Sequence, residues 1–135
     1  MPKNKYLTWN DFEEFIEEAT AAVNRLDHQP TGVYGLPRGG LPIAVTLSHR
    51  LNIPLLMAPT PGCLVVDDIS DTGTTLEHYS KSGDYTLITW VVRSRWTKVV
   101  PYYYSVAVAD DSWLVFPWEE NTFVTPYKKE DQHAN

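Results

Sequence analysis

The stretch from Cys63 to Thr75 constrains this chain more than any other. Cys63-Leu64-Val65-Val66 is a β-branched apolar run with no polar face, as expected of a strand covered on both sides. It stops at Asp67-Asp68. Ile69 to Thr75 then leads into a helical pattern that reaches Ser82 and is stopped by Gly83. A buried strand feeding a helix through a short polar turn is the unit of a parallel α/β sheet.

The remainder repeats the alternation. Phe12, Phe15, Ile16, Ala19, Val23 and Leu26 recur at helical spacing, with Glu13, Glu14, Glu17 and Glu18 outside. Asn10 followed by Glu13 predicts a capping box at that helix's start. Gly32 to Leu36 reads as a buried strand, and Leu41-Pro42 opens a second helix to about Leu51, with proline in its first turn. Residues 53–58 make a weak strand, while 85–92 is apolar on both faces and therefore interior to the sheet. Shorter strands are expected near 104–109 and 113–116, and the polar tail from about 128 to 135 reads as frayed. The fold class is thus α/β, a central, mostly parallel sheet flanked by helices.

Composition narrows the function classes. At 135 residues the chain (1–135) is expected to form one domain. An excess of 17 acidic over 11 basic residues, net −6, leaves no basic stripe for a nucleic-acid partner. The lone Cys63 rules out an internal disulfide and a thiolate zinc site. No apolar run is long enough to span a bilayer, and Met1 to Lys5 lacks the hydrophobic stretch of a signal peptide. The expectation is a cytoplasmic protein with no membrane partner. His28, His49, His78 and His133 show no metal-ligand spacing.

Ligands of open α/β sheets sit beyond the carboxyl ends of the strands, which singles out two loops. In Gly35-Leu36-Pro37-Arg38-Gly39-Gly40, adjacent glycines let the backbone approach an anion at a helix start, and Arg38 adds a permanent cation. Leu41-Pro42 stands where a P-loop needs lysine and a hydroxyl residue, so that motif is excluded. In the second loop, Asp71-Thr72-Gly73-Thr74-Thr75 can wrap a phosphate with backbone and hydroxyl donors. Asp67 and Asp68 would repel a phosphate, and so call for sugar hydroxyls or an intervening divalent cation. A ligand satisfying both halves carries a phosphate, a diol and a magnesium ion; phosphorylated ribose fits. An EF-hand is excluded because Ile69 breaks the alternation of acids.

Val65 to Thr75 resembles the phosphoribosyl diphosphate (PRPP) signature of the type I phosphoribosyltransferases, and Gly35 to Gly40 resembles their pyrophosphate loop. Tyr6-Leu7-Thr8-Trp9 and Ser112 to Glu119 are similar to the opening and purine-binding segments of the short xanthine-guanine and hypoxanthine enzymes. The resemblance implies transfer of phosphoribose from PRPP to a purine in salvage, in a homodimer or higher homo-oligomer as is common in that family, with Mg2+ as cofactor and a small C-terminal hood over the base. It implies that Pro37, Arg38 and Gly39 take pyrophosphate and that Asp67 and Asp68 hold the ribose hydroxyls. Ser70, Thr72, Gly73, Thr74 and Thr75 would cradle the 5′-phosphate, and Asp71 would be the carboxylate beside the purine imidazole. Trp113 would stack on the base, the Leu114 backbone would read its exocyclic group, and Asp68 and Glu119 would approach metal. Phe116 and Trp118 are expected in the core, and Tyr102-Tyr103-Tyr104 in packing or a subunit contact.

Two departures stand out. Where the family carries a base-contacting lysine, this chain offers Arg93 or Arg95. The long flexible hairpin that closes over the family's site is reduced to Asn52–Gly62, with Pro54, Pro59 and Pro61. The shortening leaves open a non-catalytic PRPP-binding or nucleotide-binding module, and a pyrimidine acceptor is a further alternative.

Overall fold

The structure, a computed structural model, describes residues 4–93 and 97–119. In chain order the elements are β1 (Asn4–Tyr6), α1 (Trp9–Asn24), β2 (Val33–Gly35), α2 (Gly40–Leu51), β3 (Leu55–Leu56), β4 (Leu64–Ser70), α3 (Thr74–Ser82), β5 (Thr86–Arg93), β6 (Val106–Val108) and β7 (Trp113–Val115). Five strands form one sheet in the order β3-β2-β4-β5-β6, with every ladder parallel. Strand β5 is interior, as its apolar faces require. No described helix is long and apolar enough to cross a membrane.

Side-chain alternation assigns each face its helices. Leu64, Val66, Ile88 and Trp90 join Phe15 and Ile16 of α1 and Ile43 and Leu47 of α2 in the main core. Val65 and Leu87 point to the other face and meet Leu76 of α3. Phe15 stacks on Trp90 with ring centroids 5.5 Å apart and planes 6° apart. Such pairs add about 0.5–1.5 kcal/mol beyond their area burial. Phe116 is buried and Trp118 packs against the same core, the two rings stacked 5.5 Å apart. The Tyr102 hydroxyl donates to the Ala22 carbonyl at 2.7 Å and the Tyr103 hydroxyl to Glu18, so both serve packing onto α1.

Three expectations need correction. The capping box is made by Thr8 and Asp11, not by Asn10 and Glu13: Asp11 N donates to Thr8 Oγ1 at 3.0 Å, and Thr8 N to Asp11 Oδ2 at 2.9 Å. Thr8 is extended where the chain leaves β1, and the helix has already begun at Trp9. Secondly, the strand does not end at Asp67. Pairing with β5 carries β4 on to Ser70, which lies opposite Val92. Lastly, Asn4–Tyr6 forms an unexpected strand that pairs in parallel with β7, making a separate two-stranded sheet. The hairpin is indeed short: between Leu51 and Leu64 the chain makes only the two-residue β3.

Candidate functional site

The two glycine-containing loops leave the adjacent parallel strands β2 and β4 at their carboxyl ends, where such sheets bind ligands. The first loop touches β4 through missing side chains. A Cβ at Gly40 would strike the Val66 carbonyl, and one at Gly39 would run into the Asp68 carboxyl group. Two consecutive glycines thus let the start of α2 lie directly on β4. Leu36 N donates to Val66 O at 2.9 Å, and Gly40 N closes the turn on Leu36 O at 2.8 Å. The Pro37–Arg38 peptide in this turn is cis.

Beyond β4 the chain forms a cavity of about 110 Å³ lined by Asp67, Ser70, Asp71 and the run Thr72–Thr75. Gly73 turns it: its φ is +85°, a left-handed conformation that favours glycine, and a Cβ there would collide with the Lys98 nitrogen. Gly73 itself gives α3 no side-chain cap, and while Thr74 N donates to Thr72 Oγ1 at 3.3 Å, the start of a helix is where an anion can be bound. Thr72 and Thr74 add hydroxyls, their oxygens 3.0 Å apart. Residues after β5 brace this cup from behind: Thr97 Oγ1 lies 2.7 Å from Ser70 Oγ, and Lys98 N donates to Thr72 O at 3.1 Å. Sequence reasoning missed this brace because nothing local announces it.

The acids are under tension. Asp67 N-terminal to Asp68 accepts the latter's backbone N–H at 2.8 Å, yet burial pushes its carboxyl up to about 9, with the Asp68 charge adding to the effect. Burial likewise raises Asp68. Glu119 is raised by burial and by the charge of Asp68, and lowered by its bond from Phe116 N and by Arg38. Asp68, Glu119 and Arg38 therefore share one electrostatic neighbourhood. Among the described residues no three acids or histidines converge to enclose an ion. Oxygen donors crowded in this way suit a hard divalent cation that takes its other oxygens from ligand and water, as Mg2+ does.

A third part of the site is the 110–114 segment. Asp110 Oδ1 accepts from Ser112 N at 3.1 Å and Ser112 Oγ at 2.6 Å, which holds the Asp110 carboxyl down at about 2. Trp113 opens β7 half-buried, opposite Asn4, while the Leu114 side chain is buried in the core. Arg93, at the end of β5, is only 8% exposed. Its guanidinium donates to Asp110 O at 2.9 Å and Ser112 O at 2.7 Å, and its Nε pairs with Asp71 at 3.2 Å. An arginine ending an otherwise apolar strand was the sequence signal for such partners. Arg95 lies outside the described residues.

A larger depression of about 260 Å³ lies between the C-terminal ends of α1 and α2, lined by residues such as Val23, His28, Pro30 and Leu51. It sits away from the carboxyl ends of the strands, and neither sequence loop reaches it.

No family model matches the chain. Curated proteins include a similar xanthine-guanine phosphoribosyltransferase of Cereibacter sphaeroides, 25% identical over 162 aligned positions, which span 96% of this chain and 95% of that protein. Among solved structures, a purine phosphoribosyltransferase from Pyrococcus horikoshii is 31% identical, with a TM-score of 0.72, covering 90% of this chain and 98% of that one. The xanthine-guanine-hypoxanthine phosphoribosyltransferase of Helicobacter pylori shares the fold at 17% identity, with a TM-score of 0.73 over 98% of this chain and 99% of its own.

Proposed function

The chain belongs to the type I phosphoribosyltransferases, and on that premise we propose that it transfers phosphoribose from PRPP to an oxopurine such as guanine, xanthine or hypoxanthine. The products are a nucleoside monophosphate and pyrophosphate. The observation that carries this reading is the contact between the Gly35–Gly40 loop and the end of β4, with the Asp68 carboxyl lying over Gly39. An acid on a glycine-rich anion loop, beside a hydroxyl-lined cup, suits a ligand with a diphosphate at one end, a diol in the middle and a monoester at the other.

In this reading Pro37, Arg38 and Gly39 take the diphosphate, Asp67 and Asp68 the ribose hydroxyls, and Ser70 and Thr72 to Thr75 the 5′-phosphate. Trp113 offers a broad indole face for the purine. The Leu114 side chain is fixed in the core, which leaves its backbone to read the exocyclic substituent. A purine nitrogen bonds to C1 of the ribose as the C1–O bond to pyrophosphate breaks. Positive charge develops on the sugar, so the protein's part is positioning and charge stabilisation. Asp71 is the carboxylate for the proton of the imidazole ring. Asp68 and Glu119 would hold Mg2+, which would supply neutralisation of charge on the departing pyrophosphate.

Incubation with PRPP, Mg2+ and, separately, guanine, hypoxanthine, xanthine, adenine and uracil tests the proposal. Monophosphate and pyrophosphate from an oxopurine are expected. PRPP-dependent thermal stabilisation without product from any base would replace the transferase with a binding module, a reading that the short β3 segment favours. Turnover of uracil alone would move the acceptor to pyrimidines.

A further inference from the structure

Arg93 joins two parts of the molecule that belong to different substrates. Its guanidinium holds the carbonyls of Asp110 and Ser112, the residues leading into Trp113, and the carboxylate of Asp71, the first residue of the phosphate cup's turn. Asp71 comes from the loop after β4, Arg93 from the end of β5, and the two carbonyls from the segment between β6 and β7. The 110–112 segment is already closed on itself by the Asp110 side chain, which also approaches Lys5 of β1 at 3.5 Å. Arg93 ties that preformed turn to the central sheet. The Asp71 side chain is 62% exposed, so the ion pair limits its freedom far more than packing does.

We propose that Arg93 is a positioning residue, which fixes the Asp71 carboxylate relative to the purine-binding segment rather than touching the purine. The inference rests on the transferase reading. A planar fork can serve two carbonyls and a carboxylate at once with little loss of freedom, because its donors are fixed in one plane. Lysine has a single compact ammonium on a flexible stem and cannot span the three acceptors in that geometry. The consequence is a split in the kinetics: loss of the fork misaims Asp71 against the base, while the diphosphate and 5′-phosphate contacts, on other residues, persist.

The test uses Arg93→Met, Arg93→Lys, Asp71→Asn and the double variant Asp71→Asn/Arg93→Met in the full chain. Arg93→Met and Arg93→Lys should each lower kcat about a hundredfold, the scale of a misplaced reacting group. The PRPP KM should stay within about twofold, since uniform binding is untouched. Residues acting as a unit are non-additive, so the double variant should be no slower than Asp71→Asn. Should Arg93→Met fail to fold, Arg93→Lys carries the kinetic test. Wild-type kcat in Arg93→Lys, or losses that multiply in the double variant, would overturn the inference, the first pointing to a direct base contact. Amide exchange at residues 110–114 separates this from failure of the transferase reading. It should accelerate in both Arg93 variants even if the wild-type protein turns over no base, and unchanged exchange would refute the tie itself.

Discussion

Gly39 and Gly40 are neighbours whose replacement by alanine should have opposite consequences. At Gly40 the new methyl group meets backbone: it strikes the Val66 carbonyl and stands 3.2 Å from the Asp67 Cα. Strand β4 is locked between β2 and β5 and cannot yield, so α2 must lift. Overpacking of this kind costs about 1–3 kcal/mol, against which alanine returns up to about 1 kcal/mol of helix propensity at the start of α2. A net loss of roughly 1–2 kcal/mol lowers the melting temperature of a domain this size by about 5 °C. At Gly39 the backbone is already helical, φ −66° and ψ −26°, and the obstacle is the movable Asp68 carboxyl. Gly39→Ala should therefore melt within about 1 kcal/mol of wild type, helped by the reduced entropy of its unfolded chain. Displacing Asp68 removes charged hydrogen bonds to ligand, so the PRPP KM should rise at least about tenfold. Thermal denaturation and steady-state kinetics on both variants read the two effects separately. An unchanged PRPP KM in Gly39→Ala would refute the argument that Asp68 and the glycine loop serve one ligand.

Asp68→Asn should raise the melting temperature of the metal-free, ligand-free protein at pH 8 and abolish PRPP-dependent turnover. Burial raises the carboxyls of Asp67 and Asp68, so the fold binds more protons than the unfolded chain and loses stability as pH climbs from the ordinary value of 3.8 through the raised ones. The gain of Asp68→Asn should therefore vanish near pH 4, and a pH-independent gain would contradict that linkage. Trp113→Ala should raise the KM for the base while sparing that for PRPP, because the indole is proposed to meet only the purine; equal effects on both would argue against stacking. Thr8→Ala removes one half of the capping box and should cost about 1 kcal/mol in chemical denaturation.

What the residues revealed unaided depended on how local the cause was. The strand–loop–helix units could be read directly because each carries its own signal: an apolar run, a glycine turn, a periodic helix. The cup at Thr72–Thr75 belongs to this class. Strand β1 does not. Three exposed residues become a strand only by pairing with β7, more than a hundred positions along the chain. The same applies to Thr97 and Lys98, whose role exists only once β5 delivers them behind the cup. Arg93 was legible only as a departure from the family's lysine, because its three partners come from loops whose proximity only the fold creates.

The placement of Asp67 and Asp68 on β4, and not in the loop after it, changes how the site must work. Their spacing is set by the ladder to β5, through Asp67 opposite Thr89 and Ser70 opposite Val92, so they cannot move apart to relieve their repulsion. Burial opposes ionisation of both, and the Asp68 charge adds to that at Asp67, a cost that the fold itself has to absorb. Hydroxyl donors and a divalent cation would favour the ionised form of both carboxyls. Phosphoribosyl transfer elsewhere in the family is expected to draw on a closing hairpin, for which residues 52–63 leave no room beyond β3. On the transferase reading, with no such lid between α2 and β4, rigid prearrangement of acids and cup would supply the alignment that closure otherwise provides. Substitutions that calm the acids should then make a more stable and less capable protein, the trade expected where a site is held strained for its ligand.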